Sequence, residues 1–512
     1  MLTGDILRLS VERHPCRTAL ICGDTSLSYR DLGTAANRFA NALLNLEISK
    51  NINWAIMSRN LPEYVIAHFG GAQTGAQIVN LQPSYSSDEL ATILNLTKAK
   101  LIVVEEPFQQ KIIEIQDFLS DLQIVVVIGK PSREEWISFD QFIEDQPSHY
   151  CNLNLSETDI FAMTFTGGTT GIPKGTLVNH QARFISCYTT AIEHQVTEAD
   201  IIGLVTPFYH TMGSLVWLPT AIFLGATTVI MTEWDPTAFV DQVKKHGITC
   251  TFMVPIQLRQ ILSNNHFDMD KLRSLTNIAC GGAPSSSDLI SEVGLKIPSA
   301  RFTNHYGQSE TGPLCIYNSS HPKEKADTVG RPAAGVEIKI VDPEGREVTG
   351  GKTGEIICKG PFLMSGYYQS GEETNTYFKS GGGWGWTGDL AKKDTEGFIT
   401  LVGRSKEMII SGGVNIYPRE IEIVLEKHEN IIDCTVFGVP DDKWGEALVA
   451  YVVPRKREEL TKQNIIDHCM EYLARFKRPK YIQIVDNIAK TPSGKVQKPI
   501  LRAAFLNNKN FS

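Results

Sequence analysis

Along the first 130 residues, apolar positions follow two rhythms. Leu32 to Leu44 repeats them at helical spacing, and Glu63 to Ala76 is a second helix candidate. Leu101-Ile102-Val103-Val104 and Ile124-Val125-Val126-Val127-Ile128 are unbroken apolar runs, the pattern of strands buried on both faces. This alternation predicts an α/β fold of layered subdomains with largely parallel sheets. Pro131 to Ser156 is mostly polar and reads as a surface connection. Residues 200–330 continue the rhythm, with strands expected at Ile201–Val205 and Thr227–Met231. From about Gly335 the texture changes. Val336 to Val341, the turn Asp342-Pro343-Glu344-Gly345 and Gly354 to Cys358 predict a hairpin, hence a β-rich subdomain near 330–403. A break follows at Gly403 to Lys406. Beyond it Pro418 opens a helix over Glu420 to Lys427, and strands are expected at Thr435–Val439 and Leu448–Val453. Thr461 caps a further helix with an expected apolar face of Ile466, Cys469, Met470 and Leu473. Arg455 to Glu459 reads as a solvated loop.

A chain of 512 residues with 42% apolar residues implies more than one domain. Lys and Arg number 49 and Asp and Glu 57, so nothing draws the chain as a whole to nucleic acid or anionic membrane. Any anion site must be local. The ten cysteines are scattered, without CxxC or Cys/His spacing, and are expected to be reduced, mostly buried thiols of a cytoplasmic protein. Met1 to Asp5 shows no basic segment leading into an apolar one, so no signal peptide is expected. Gly203 to Gly225 is uncharged but is broken by Pro207, His210, Gly213 and Pro219.

Thr166-Gly167-Gly168-Thr169-Thr170-Gly171-Ile172-Pro173-Lys174-Gly175 carries four glycines, three threonines and a lysine, and no acid. Glycines let backbone amides approach a bulky anion, while hydroxyls and Lys174 complete a cradle for polyphosphate. Pro173 and Gly175 around Lys174 exclude a Walker loop. Taken alone, the string could also be a flexible surface turn. Further strings follow: Pro207 to Gly213 around His210; Gly281-Gly282-Ala283-Pro284; Asn304-His305-Tyr306-Gly307-Gln308-Ser309-Glu310-Thr311; Trp386 to Asp389; Gly403 to Gly413; and Pro492-Ser493-Gly494-Lys495.

In this order and at these separations the strings resemble the adenylate-forming superfamily of acyl- and aryl-CoA synthetases, luciferases and peptide-synthetase adenylation domains. The resemblance spans nearly the whole chain. It implies a large N-terminal domain over residues 1–403, a hinge at 404–406 around Lys406, and a small mobile α+β C-terminal domain over 407–512. It implies ATP, Mg²⁺ and coenzyme A. Residues 166–171 and Lys174 would hold the β- and γ-phosphates, and Glu310 the Mg²⁺. Ser309 would donate to phosphate, and Tyr306 and Gly282-Ala283-Pro284 would flank adenine. Asn304, His305, Gly307, Gln308 and Thr311 belong to the same nucleotide string. Asp389 would accept from the ribose hydroxyls, with Arg404 beside it. Lys495 matches the family's adenylation lysine, bridging the acid carboxylate and the α-phosphate. His210 is either a gate of the acyl tunnel or a hydrogen-bonded pocket histidine.

For the second half-reaction, rotation about the hinge would withdraw Lys495 and present Ser411-Gly412-Gly413 to a pantetheine arm. Trp444, Phe476, Lys477 and Arg478 would take the nucleotide end of CoA; the alternative is a basic-aromatic patch covering the small domain. Gly167 stands where many members have serine, which keeps the amide. Gln82-Pro83-Ser84-Tyr85 lacks the arginine that some CoA ligases carry there. Phe208-Tyr209-His210-Thr211 lacks the aspartate that pairs with an amino acid's ammonium, which disfavours α-amino acids. The uncharged Gly203–Gly225 favours an uncharged acyl or aryl tail, leaving fatty, aromatic and alicyclic acids open. The reading is an AMP-forming acid–CoA ligase, with a homodimer left open. The alternatives are an enzyme loading a carrier protein's phosphopantetheine and a non-catalytic acyl or nucleotide binder.

Overall fold

The computed structural model describes residues 1–166, 173–264, 267–283, 285–456, 460–490 and 496–509. Of the expected site residues, Gly167, Gly168, Thr169, Thr170, Gly171, Pro284 and Lys495 lie outside the described residues. The chain forms two compact units: Met1–Glu337 with Lys359–Gly385, and Ile338–Cys358 with Trp386–Ser512.

Among the described residues, the first unit holds a nine-stranded and an eight-stranded sheet. In the larger sheet, Thr18–Cys22, Thr227–Ile230, Ile201–Leu204, Cys250–Met253, Asn277–Gly281 and Arg301–Gln308 run parallel in that order, with antiparallel strands at both edges. In the smaller sheet, Ile160–Thr166, Gln77–Asn80, Asn53–Met57, Leu101–Glu105 and Ile124–Ile128 are parallel. The strand Leu101–Glu105 buries both faces as its unbroken apolar run predicts. Leu101 and Val103 enter one core cluster, and Ile102 and Val104 another. The predicted helices form as Tyr29–Asn45, opened by a Ser28–Asp31 capping box, and Pro62–Thr74, buried along almost its whole length. Four motif-bearing segments begin where parallel strands end: after Thr166, Leu204, Gly281 and Gln308. In open α/β sheets such carboxyl ends are where ligands bind.

In the second unit, the β-rich segment forms a four-stranded sheet of Glu337–Val341, Gly354–Lys359, Gly385–Lys393 and Ile399–Arg404. A five-stranded sheet is built on the long antiparallel pair Ile431–Asp441 and Gly445–Pro454. Pro418 is the first residue of the helix Pro418–Glu426, and Thr461 caps Lys462–Tyr472 by accepting from the Asn464 amide. The expected inner face of that last helix is corrected. Ile465, Cys469 and Leu473 are buried, while Ile466 and Met470 are 39% and 54% exposed. Two overlapping apolar stripes occur in the sequence, and packing against Ile421, Leu425 and Ile482 selects the one spaced by four. None of the ten cysteines forms a disulfide, and eight are buried. No described helix is long and apolar enough to cross a membrane.

The first unit buries five histidines whose basicity is suppressed, chiefly by loss of solvation. His68 is lowered to about 3, His180, His210 and His305 to about 4, and His194 well below its ordinary value. In the unfolded chain each takes its proton near pH 6.5. Between that value and the folded one, the unfolded state therefore binds more protons. Stability falls as pH drops through this window, by up to about 1.4 kcal/mol per pH unit for each histidine. The thermal unfolding midpoint is expected to fall steadily from about pH 7 to about pH 5. His68→Phe should make that fall shallower, which scanning calorimetry at a series of pH values will measure.

Candidate active site

The glycine-rich segment joins two antiparallel strands, Ile160–Thr166 and Lys174–Asn179, with Thr166 and Lys174 as register partners. The base of the loop is thus a strand pair, and Lys174 is the first residue of the returning strand. Its ammonium forms an ion pair with Glu373 and lies 5.7 Å from the centre of the Tyr367 ring. Glu373 also accepts from Ser370 Oγ at 2.6 Å. Tyr367 Oη donates to Glu310 Oε1 at 2.8 Å. Lys174 and Glu310, assigned from the sequence to phosphate and metal, therefore converge on one tyrosine. Tyr367 is brought there by strand pairing, as the partner of Thr176. Neither Tyr367 nor Glu373 stands out in the sequence. Gly366-Tyr367-Tyr368 and Glu372-Glu373 carry no evident chemistry until that pairing puts them beside Lys174.

Glu310 sits in the turn joining Arg301–Gln308 to Gly312–Asn318. Thr311 Oγ1 accepts from the Gln308 amide at 3.0 Å and donates to the Gly312 carbonyl at 2.8 Å, so its hydroxyl holds the turn. Gly307 allows no side chain, since a Cβ would lie 2.0 Å from the Gly312 carbonyl oxygen. Asn304 and Tyr306 are buried along the same strand. Gly282 has a left-handed backbone, φ +79, and with Ala283 follows the neighbouring strand. The residues fit Mg²⁺ in a specific way. Among the described residues no three His, Cys, Asp or Glu side chains gather as a cage. One carboxylate whose first oxygen is steadied by Tyr367 suits a cation that keeps its waters and takes its other ligands from phosphate.

His210 precedes the π-helical turn Thr211–Trp217. Among the described residues its Nε2 is buried with no partner, and burial lowers its pKa to about 4, so the ring is neutral at physiological pH. His305 projects into a cluster of buried rings with His194 and Phe252.

In the second unit Asp389 and Arg404 are cross-strand register partners, and Arg404 Nε lies 2.9 Å from Asp389 Oδ1. The Asp389 amide donates to Thr387 Oγ1, and that hydroxyl donates to the Ile356 carbonyl. The buried carboxylate is thereby fixed, while the Arg404 side chain stays exposed. Lys406 is exposed in the single turn Ser405–Glu407. Ser411 and Val414 pair across Gly412 and Gly413, whose φ values of +60 and +78 are what a two-residue hairpin turn requires. Trp444 lies over this turn; its carbonyl accepts from the Gly412 amide at 2.8 Å, and a Cβ on Gly412 would be 3.0 Å from its ring. The expected thiol-passage glycines and Trp444 are therefore adjacent.

Phe476 is exposed, but its basic neighbours are engaged. Lys477 pairs with Glu420, and Arg478 donates to the Leu473 and Met470 carbonyls at 3.0 and 3.1 Å, closing the end of Lys462–Tyr472. The segment containing Lys495 is bounded by an antiparallel bridge between Lys490 and Val496. Beyond it, Lys498 is held between Glu407 and Glu422 at 2.9 and 3.1 Å.

Comparison with known proteins bears directly on this arrangement. Residues 7–368 match the family AMP-binding enzyme, and residues 420–495 its C-terminal domain. Indoleacetate–CoA ligase of Aromatoleum aromaticum is 31% identical over 499 residues, which cover 96% of each chain. Feruloyl-CoA synthase of an Amycolatopsis species is 30% identical over 496 residues, again 96% of each. The crystal structure of ATP-bound MatB from Rhodopseudomonas palustris superposes with a TM-score of 0.91 at 25% identity, covering 99% of each chain. With both family regions matched and relatives aligned end to end, this chain belongs to the AMP-binding enzyme family, within the adenylate-forming superfamily.

Proposed function

We infer that the protein is an AMP-forming acid–CoA ligase acting on an acyl or aryl carboxylic acid. The observation that carries this reading is the convergence of Lys174 and Glu310 on Tyr367 at the base of the glycine-rich loop. One cation and one carboxylate at that place suit the leaving pyrophosphate and its metal. The relatives' named acids, indoleacetate and ferulate, are aromatic and carry no α-ammonium, which agrees with the missing aspartate near His210.

In the first half-reaction a carboxylate oxygen of the acid attacks the α-phosphorus of ATP. The bond to the β-phosphate oxygen breaks, leaving an acyl-AMP anhydride and pyrophosphate. Two anions must meet, so positioning and charge neutralisation dominate the barrier. Lys174 and the loop amides would hold the departing phosphates, and Glu310 the Mg²⁺ that neutralises them when bound. Asp389 would fix the ribose, with Arg404 alongside. Lys495 would place its point charge between the acid and the α-phosphate. In the second half-reaction the thiol sulfur of CoA attacks the acyl carbonyl. The thiol gives up its proton, and AMP leaves with the anhydride oxygen. Ser411, Gly412 and Gly413 would line the pantetheine path beside Trp444, and residues 407–512 would turn about Lys406 between the steps.

Incubating the protein with ATP, Mg²⁺, CoA and a panel of carboxylic acids should release AMP and form a thioester. No AMP with any acid would overturn the reading, and transfer only to a carrier protein would replace CoA as acceptor. Lys495→Ala should cut acid-dependent pyrophosphate exchange by about a hundredfold or more. Gly413→Trp should leave exchange intact and abolish thioester formation. Glu310→Gln should raise the Mg²⁺ concentration giving half-maximal exchange about tenfold, the loss of one charged ligand.

A further inference from the structure

The helix His180–His194 carries a charge that the reaction above does not use. Arg183 lies in its first turn and is 1% exposed. Burial lowers its pKa to about 10, which still leaves the guanidinium charged at physiological pH. Its Nε and Nη1 have no hydrogen-bond partner among the described residues. Among the same residues no carboxylate acts on it. The titratable neighbour that raises its pKa is Cys187, and burial pushes that thiol up to about 11, so it stays neutral. A buried charge loses its hydration, and proteins pair such a group or bind an ion to it.

The surroundings of Arg183 offer further donors. Burial and, after it, the charge on Arg183 depress the His68 pKa, so the two side chains are within electrostatic reach. His68 lies in Pro62–Thr74, is 1% exposed, and leaves both ring nitrogens without a partner among the described residues. Its neutral ring carries one N–H. His180 stands one helical turn before Arg183, on the same face. Its Nδ1 accepts from the Thr3 amide at 3.1 Å, so the proton of its neutral ring is on Nε2. That nitrogen also has no partner among the described residues. Asp159 and Asp5 act on His180, yet neither acts on Arg183 or His68. The rings of His180 and His68 both rest on Phe161, with centres 4.9 and 6.0 Å from it.

These three residues bring unpartnered N–H groups, one of them charged, to one buried place. A set of donors is completed by a group that only accepts, and a single positive charge by a single negative one. The first turn of a 15-residue helix favours the same sign. Near-complete enclosure suits a compact ion that gives up its water readily, as does the weakly hydrated guanidinium. We propose that Arg183, with His68 and His180 beside it, holds one small monovalent anion of the halide class, chloride under ordinary conditions. The ion would lock the helix Pro62–Thr74 to the strand pair that flanks the glycine-rich segment. Phe161 belongs to Ile160–Thr166, and His180–His194 continues directly from Lys174–Asn179. This is a structural ion, and its binding does not depend on acid, ATP or CoA.

The test follows thermal unfolding of the full chain at one pH and constant ionic strength while gluconate is exchanged for chloride, bromide or fluoride. In the wild type the midpoint should rise saturably with chloride and with bromide, by about 3 °C or more, as for a ligand that binds only the folded state. Fluoride, which holds its water tightly, should do much less, the reverse of the order in which salts stabilise folded proteins generally. Arg183→Met should abolish the halide response. In gluconate it should also unfold at a higher temperature than the wild type, because it removes a buried charge that has lost its partner. His68→Phe should raise the half-saturating chloride concentration about tenfold, the effect of losing one hydrogen-bond donor. Equal wild-type midpoints in gluconate and chloride, or a halide response that persists in Arg183→Met, would overturn the proposal. If Arg183→Met does not fold, wild-type crystals grown in bromide decide. An anomalous bromide peak within hydrogen-bonding distance of the Arg183 guanidinium supports the site, and no peak there overturns it.

Discussion

The antiparallel pairing of Ile160–Thr166 with Lys174–Asn179 is the constraint on which the first unit's chemistry depends. It places the outgoing strand among the parallel strands of the smaller sheet and sets Thr166 and Lys174, on either side of the glycine-rich segment, opposite each other. The same returning strand pairs at Thr176 with Tyr367, so a residue nearly two hundred positions away is delivered beside Lys174. Backbone ladders on either side of the returning strand give Lys174 a defined place. The segment with Lys495 has a similar base in the Lys490–Val496 bridge, reinforced by Lys498 against Glu407 and Glu422. In both places the described residues that flank the segment are joined by regular backbone pairing.

Charge is handled locally. The chain carries an excess of acidic residues, so a polyphosphate is not drawn to the protein as a whole. Lys174 is balanced by Glu373, and Glu310 is steadied by the neutral hydroxyl of Tyr367. Glu373 is thus the counter-ion that a phosphate at the role proposed for Lys174 would have to displace. In the second unit the buried Asp389 leans on Arg404 and on the Thr387 hydroxyl network. The basic residues near Phe476 are largely committed to the protein itself, Lys477 to Glu420 and Arg478 to the end of a helix. Of the residues expected to meet CoA, Ser411, Gly412, Gly413 and Trp444 are the ones the fold brings together.

The interior of the first unit is polar to an unusual degree. Five histidines lie there, neutral at physiological pH because burial opposes their charging. His180 Nδ1 pairs with Thr3, its Nε2 has no partner among the described residues, and its ring stacks on Phe161. Among the described residues His194 and His305 likewise leave ring nitrogens without a partner. The same burial gives the fold its expected acid sensitivity.

The sequence alone determined the fold class, the run of elements and the order of the chemical strings. These are local properties: unbroken apolar runs for strands buried on both faces, a Thr461 cap before a helix, glycines where an anion or a tight turn is met. Glu310, Asp389, Arg404 and the Gly412-Gly413 turn could be singled out because their neighbours in the chain carry the pattern. The tertiary structure alone decided what lies far apart in sequence. It set Tyr367 and Glu373 beside Lys174, chose Ile465 over Ile466 as the inward face of a helix, and turned Arg478 to a helix end. It also gathered His194, Trp217, Phe252 and His305 into one cluster. No local pattern marks such residues, because their meaning arises from strand register and burial, and both are set by packing between elements rather than by any one stretch of chain.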